Sequence, residues 1–151
     1  MESSDKTFSA EVITPDGVRR QFTATMVTYP CSDGQVGILA GRAPLISDVG
    51  FGRMTVHEAG GAQKTFWVSG GFAQVISSGL TILADECLRP GEIDPEAAWD
   101  EIQDARKRTW QTDEQRARRD RALDAARAKF RLAQKHRAAL RAGARESMDR
   151  E

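Results

Sequence analysis

Much that a chain of 151 residues could carry is missing from this one. It has two cysteines, Cys31 and Cys87, too few for a disulfide framework. They show no CxxC spacing and no nearby histidine, which argues against a zinc site and for two thiols in a reducing compartment. Its two histidines, His57 and His136, fall far apart in the chain, and no Ser or Cys occupies a nucleophile elbow, so no catalytic triad can be assembled. Asp85 and Glu86 are neighbours on a strand and point to opposite faces, which excludes a shared acid–base role. Glycines 34, 37 and 41 match neither GxGxxG nor a Walker A loop, and no helix follows them. Residues 1–6 have no apolar core, as a secretory signal would require. No window approaches 18 apolar residues, so no segment reads as membrane-spanning. The sequence therefore implies no enzyme active site, no metal site and no cofactor.

What is present divides in two. The net charge is zero, but residues 1–99 carry seven Lys/Arg against twelve Asp/Glu, a net of −5. Residues 100–151 carry fifteen against ten, a net of +5. An acidic half followed by a basic half suggests different partners for each.

The acidic half reads as strands and turns. Phe8 to Ile13 alternates apolar and polar residues, the period of a half-buried strand. Thr14-Pro15-Asp16-Gly17 has the residues of a tight turn. Further strands are expected at Val18–Ala24, Met26–Tyr29, Gln35–Leu39, Ile46–Val49, Arg53–His57, Lys64–Val68, Phe72–Ile76 and Leu80–Ala84. Gly70-Gly71 separates two of these, with Trp67 and Phe72 expected in or beside the core. About eight to ten short strands over some ninety residues predict an antiparallel β-sandwich or flattened barrel at 1–89.

Residues 90–94 read as a linker, and a helical hairpin is expected over 95–144. Asp94 before Pro95 is a strong helix start, with a first helix from Pro95 to about Trp110. Ala98, Trp99, Ile102 and Ala105 lie along one stripe of it. Thr112-Asp113-Glu114-Gln115 is a capping-box pattern that starts a second helix, expected to run to Ala142 and end near Gly143. Its apolar positions (Ala122, Leu123, Ala126, Phe130, Ala133, Leu140) are mostly alanine, on a strongly basic rod. A helix with so thin a stripe docks weakly or waits for a partner. Residues 145–151 read as a flexible tail. A basic rod can also bind nucleic acid. An independent β-sandwich binding module with such a tail is the alternative reading, although acidic residues interrupt the basic ones.

Four ordered blocks carry a resemblance. They are Gly34-Gln35-Val36-Gly37-Ile38-Leu39-Ala40-Gly41-Arg42-Ala43-Pro44-Leu45-Ile46, then Val68-Ser69-Gly70-Gly71-Phe72-Ala73-Gln74-Val75, then Thr81-Ile82-Leu83-Ala84-Asp85, then Glu92-Ile93-Asp94. Over residues 7–110 the chain resembles the epsilon subunit of the F-type rotary ATP synthase (delta in mitochondria). The resemblance implies a β-sandwich and helical hairpin forming a non-catalytic rotor subunit. The sandwich would stand against the gamma subunit and the c-ring, coupling proton flow to ATP synthesis. The helices would extend toward an acidic segment of the catalytic beta subunits and inhibit ATP hydrolysis. Such a subunit is a peripheral membrane protein, on the cytoplasmic face of a bacterial inner membrane or the matrix or stromal side in an organelle.

Residue by residue, the resemblance places Asp33, Gln35 and Arg42 at the c-ring-facing edge, where Arg42 replaces the family's usual His. The basic face expected to meet the acidic segment holds Arg116, Arg118, Arg119 and Arg121. Some bacterial members bind ATP through an Ile/Leu-Asp-x-x-Arg-Ala motif. Here Ile93 and Asp94 remain, but Ala97 stands in place of the arginine and Asp104 in place of a second. Without guanidinium groups to pair with phosphates, nucleotide binding is not expected.

Overall fold

The alternating segment near the N-terminus forms β1 (Phe8–Ile13), with Ala10 and Val12 turned into the core. The turn that follows holds Gly17 at φ +89°, and its amide donates to the Thr14 carbonyl at 3.1 Å. The computed structural model describes residues 6–148; the first five residues, and the last three of the expected tail, lie outside the described residues. Six more strands follow: β2 (Arg19–Cys31), β3 (Gly34–Leu39), β4 (Leu45–Asp48), β5 (Phe51–Glu58), β6 (Gln63–Ile76) and β7 (Gly79–Leu88).

The described residues thus hold seven strands, fewer and longer than expected. The difference lies in β2 and β6, each of which joins two segments that the sequence pattern separates. Along one side, β2 pairs with β1 through Arg19–Ala24 and with β3 through Met26–Cys31. Its ladder with β5 shifts between Ala24 and Met26, and the Thr25 hydroxyl donates to the His57 carbonyl at 3.2 Å. Strand β6 pairs with β5 through Gln63–Ser69 and with β4 through Phe72–Val75, while its ladder with β7 keeps one register from Trp67 to Ile76. A strand that changes neighbours part-way carries the sheet from one layer of a sandwich to the other.

The expectation of a purely antiparallel sheet is corrected: β1 pairs antiparallel with β2 but parallel with β7. The cause is parity. Strands β1, β2, β5, β6 and β7 close a ring, and direction cannot alternate around an odd number of strands. The single parallel pair falls where the first strand meets the last, and closure leaves β1 with no open edge.

The core packs Ala24, Val27, Tyr29, Met54, Val56, Phe66, Val68 and Ile82 from both layers. Tyr29 is fully buried, and its hydroxyl lies 2.6 Å from Ser47 Oγ. Burial pushes its pKa above the ordinary tyrosine value. Trp67 is buried as expected, and its Nε1 donates to Glu86 Oε1 at 2.8 Å. Phe72 is not in the core. Ala73 and Val75 take the inward positions, so alternation turns Phe72 outward.

Gly70 and Gly71 lie at the point where β6 changes neighbours, at φ +68° and +107°. A Cβ on Gly71 would stand 1.7 Å from the Leu83 carbonyl oxygen, and one on Gly70 would stand 2.1 Å from Asp85 Oδ2. Their backbone groups hold the β4–β5 turn. Gly70 N–H donates to the Gly50 carbonyl at 3.0 Å, and Gly71 accepts from Val49 N–H at 2.9 Å.

Residues from Arg89 onward form a second compact unit. Asp94 caps α1 (Pro95–Lys107), accepting from the Glu96 amide at 3.0 Å. The helix stops three residues short of Trp110, with Arg108 in an extended conformation. Thr112 Oγ1 accepts from the Gln115 amide at 3.2 Å and starts α2 (Asp113–Met148). This helix does not end at Gly143. That residue has no positive φ, and Ala144-Arg145-Glu146 after it favour continuation. The seam between the helices is Ile102, Ala105, Leu123 and Ala126, with Ala122 and Phe130 beside it. Trp99 remains half exposed but lies 5.4 Å from the Phe130 ring. Leu140, expected on the apolar stripe, is exposed. At 1.5 Å per residue α1 spans ~20 Å and α2 ~54 Å. The long helix therefore outruns its partner.

Replacing Gly71 by Ala should lower the stability of the β-sandwich by about 3 kcal/mol or more in urea unfolding, because the added methyl meets backbone at a positive φ. A loss under ~1 kcal/mol would show that β7 can move aside.

Candidate functional site

Alternation along β6 leaves Phe72, Gln74 and Ile76 on its outer face. The ladders set neighbours beside them. Phe72 lies between Asp48 on β4 and Leu83 on β7, and Gln74 lies between Ile46 and Thr81. Leu83 is in turn opposite Ile13 on β1. Ile46, at 73% exposed, and Phe72, at 65%, are the most open large apolar side chains of the sandwich, with Leu83 and Ile76 about half exposed. Phe72 and Leu83 are direct cross-strand neighbours, about 5 Å apart, while Ile46, across from Gln74, stands diagonally to Phe72 and Ile76, so the four share one sheet face with Asp48, Gln74 and Thr81 among them. The sequence reading missed this face. Both faces of Phe72–Ile76 hold apolar residues, so the pattern alone could not say which one is buried.

The loop residues singled out from the sequence fall in two places. Asp33 is in the two-residue turn between β2 and β3, and Gln35 sits next to it on β3; both are exposed. Asp48 ties this turn down: it accepts from the Ser32 amide at 2.8 Å and from the Ser32 hydroxyl at 3.1 Å. Arg42 lies beyond the opposite end of β3. Its guanidinium reaches back to donate to the Gly37 carbonyl at 3.0 Å, midway along the strand. The structure brings Arg42 to the strand and not to the turn.

The four arginines of α2 also separate. Arg116, Arg118 and Arg121 are exposed, whereas Arg119 is held among contacts with α1 and Trp110. Its spacing could have shown this, because Arg119, Leu123, Ala126, Phe130 and Ala133 follow one helical stripe. The arginine is on the packed face.

Around the nucleotide-like motif, Ile93 is buried, Ala97 is exposed, and the Asp94 carboxylate is used as a helix cap. Among the described residues no cluster of three or more His, Cys, Asp or Glu could hold a metal, and no helix is long and apolar enough to cross a membrane. Cys31 is half-buried and Cys87 is buried. His57 and His136 fall in different units.

Residues 7–90 match the family model of the ATP synthase delta/epsilon chain β-sandwich domain, more than half of the chain. The chain belongs to the ATP synthase delta/epsilon family. Among curated relatives, the ATP synthase epsilon chain of Koribacter versatilis (strain Ellin345) is 37% identical over 105 residues, covering 70% of each chain. The sodium ion specific epsilon chain of Propionigenium modestum is 35% identical over 101 residues, 67% of this chain and 73% of the relative. Among solved structures, a chain of the Euglena gracilis mitochondrial ATP synthase OSCP/F1/c-ring assembly superposes with a TM-score of 0.67. It is 23% identical, covering 81% of this chain and 78% of its own. A chain of the Tetrahymena thermophila mitochondrial ATP synthase central stalk and c-ring gives 0.65 at 12% identity, covering 85% and 97%. These structures share the fold of the epsilon-family chain described here. The family model ends at residue 90, so the exposed apolar face lies inside the matched region and both helices lie outside it.

Asp94→Ala should cost about 1 kcal/mol of stability in the helical unit while Asp94→Asn, which can still cap, costs a few tenths. Thermal unfolding followed at 222 nm separates the two. Equal losses would mean that the carboxylate does more than cap.

Proposed function

We propose that this chain is a non-catalytic central-stalk subunit of a proton-translocating F-type ATP synthase, joining the rotor's membrane ring to the gamma subunit. In this reading it is a peripheral membrane protein, held through the complex on the cytoplasmic face of a bacterial inner membrane or the equivalent side in an organelle. The observation that carries the reading is the exposed apolar face of Ile46, Phe72, Ile76 and Leu83 on the family's own domain. Contiguous exposed apolar surface on a soluble domain marks a protein interface. Fully covering one such side chain is worth about 1.5–3 kcal/mol, so four can hold a permanent partner. We assign this face to gamma. We also assign to the c-ring Asp33 and Gln35 at one end of β3 and Arg42 beyond the other.

The helices have a regulatory role in this reading. Their basic face meets an acidic segment of the catalytic beta subunits when they extend, and ATP hydrolysis is inhibited. Nucleotide sensing has no part, since Ala97 and Asp104 occupy the positions where arginines would hold phosphate.

Three measurements test this. The double change Phe72→Ser, Leu83→Ser should leave the unfolding midpoint near that of the parent and abolish copurification with gamma. Retention of gamma would overturn the assignment of the face, and copurification with nucleic acid would favour an independent binding module. Charge reversal at Arg116, Arg118, Arg119 and Arg121 should relieve inhibition of hydrolysis in a reconstituted complex; unchanged inhibition counts against the regulatory role. Crosslinkers placed at Asp33, Gln35 and Arg42 should capture the c-ring, and capture of gamma alone would reject that assignment.

A further inference from the structure

The four arginines are not equivalent, and the contacts of Arg119 explain why. The last carbonyls of helix α1 have no amide one turn on in their own helix, and of these Ala105 accepts from the Arg108 amide at 3.4 Å, just past the helix end. Arg119, from the second turn of α2, supplies donors to two of them: Nε to the Ala105 carbonyl at 3.2 Å and Nη2 to the Arg106 carbonyl at 3.5 Å. Its Nη1 pairs with Asp120 Oδ1 at 2.9 Å. Its guanidinium lies over Trp110, with Cζ 5.3 Å from the ring centroid. Arg116 lies over the same ring at 5.7 Å and reaches Asp120 Oδ2 at 3.9 Å.

Every part of the Arg119 guanidinium is therefore engaged. It is the one charged group that touches both helices and the connector between them among the contacts at this end of the hairpin. Its charge also suits its place, because a cation at a helix C-terminus faces the negative end of the helix dipole. The clamp matters because the seam it closes is thin. Two of the four buried residues of that seam are alanine. A further polar tie across the helices is Lys129 Nζ to Glu101 Oε1 at 3.2 Å, farther along the pair.

We propose that Arg119 is a positioning residue that clamps the C-terminus of α1 to α2 through Trp110, so that an acidic partner can take this arginine only by releasing α1. Recognition of that partner then falls first to exposed Arg118 and Arg121. Engagement of Arg119 is the later step, coupled to opening of the hairpin. A ligand that binds only the open state shifts the population toward it. The competition rests on the acidic partner proposed above, whereas the clamp does not.

The test is amide hydrogen exchange of the full chain by mass spectrometry. Arg119→Ala should speed exchange of residues 98–107 about tenfold, while the β-sandwich and the Arg118→Ala control keep the parent rates. Arg119→Lys keeps the charge but cannot fork to two carbonyls while lying over the indole, so it should fail to restore slow exchange. A hexaglutamate peptide at low ionic strength should speed exchange of residues 98–107 in the parent and have no effect on Arg119→Ala. The clamp is overturned by parent-like exchange in Arg119→Ala, by equal acceleration across the whole chain, or by full rescue with lysine. The competition is overturned if the peptide leaves the parent unchanged. Because these rates are read on the chain by itself, they stand apart from whether the helices inhibit hydrolysis in the assembly.

Discussion

The backbone approach at Gly70-Gly71 is the constraint on which the sandwich depends. At this point β6 leaves β5 and takes up β4, while its ladder with β7 continues unshifted. No side chain fits there, because the Leu83 carbonyl occupies the space of a Cβ on Gly71. The same two residues bind Val49 and Gly50, and Gly50 N–H donates to the Pro30 carbonyl at 2.9 Å. One continuous set of backbone bonds therefore runs from β7 through the glycines and the β4–β5 turn to β2. The two long strands that pass between layers are joined where they must keep their spacing. A substitution here acts on both layers at once, which is why the glycine pair carries no chemistry and still tolerates no side chain.

The helical unit is built on the opposite terms. Its seam is short and rich in alanine, and α2, with 36 residues against 13, is by far the longer helix. Small apolar residues bury little area, so hydrophobic burial holds the pair weakly. Directional polar contacts then decide more of the balance than they would in a larger core. The Arg119 fork, the Trp110 ring and the Lys129–Glu101 pair are such contacts. A unit of this kind can change partners at modest cost, whereas the closed β-ring cannot.

Local signals were legible in the sequence where a single residue's chemistry sets the geometry. The Thr14–Gly17 turn, the Asp94 cap and the Thr112 capping box all stand where their residue types put them. The pattern failed where the outcome depends on distant strands. Thr25 and Gly70-Gly71 look like breaks, yet each lies inside a continuous strand: the ladder with β7 keeps its register past the glycines, and β2 runs on through Thr25 although its ladder with β5 shifts there. The parallel pair of β1 and β7 could not be read from any segment, since it follows from the number of strands in the ring. Gly143 looked like a helix end, but nothing around it favours a left-handed residue. The outward turn of Phe72, expected in or beside the core, was illegible for a related reason. In Phe72-Ala73-Gln74-Val75-Ile76 both faces are apolar, and only the closed core decides that Ala73 and Val75 fill the inside.

That ambiguity is itself informative. A strand with one solvated face normally alternates apolar with polar residues. Strand β6 departs from this on both sides of the glycine pair: Phe66-Trp67-Val68 before it are all buried, whereas after it Phe72 and Ile76 are exposed, and β4 and β7 place Ile46 and Leu83 beside them. The glycines therefore divide β6 by environment as well as by neighbour. Trp67 and Val68 on the N-terminal side are buried, while Phe72 and Ile76 on the C-terminal side are exposed. The change of neighbours at the glycines also sets the second half of β6 between β4 and β7, with three strands contributing to one face. Core closure and the display of that face thus follow from the same two residues.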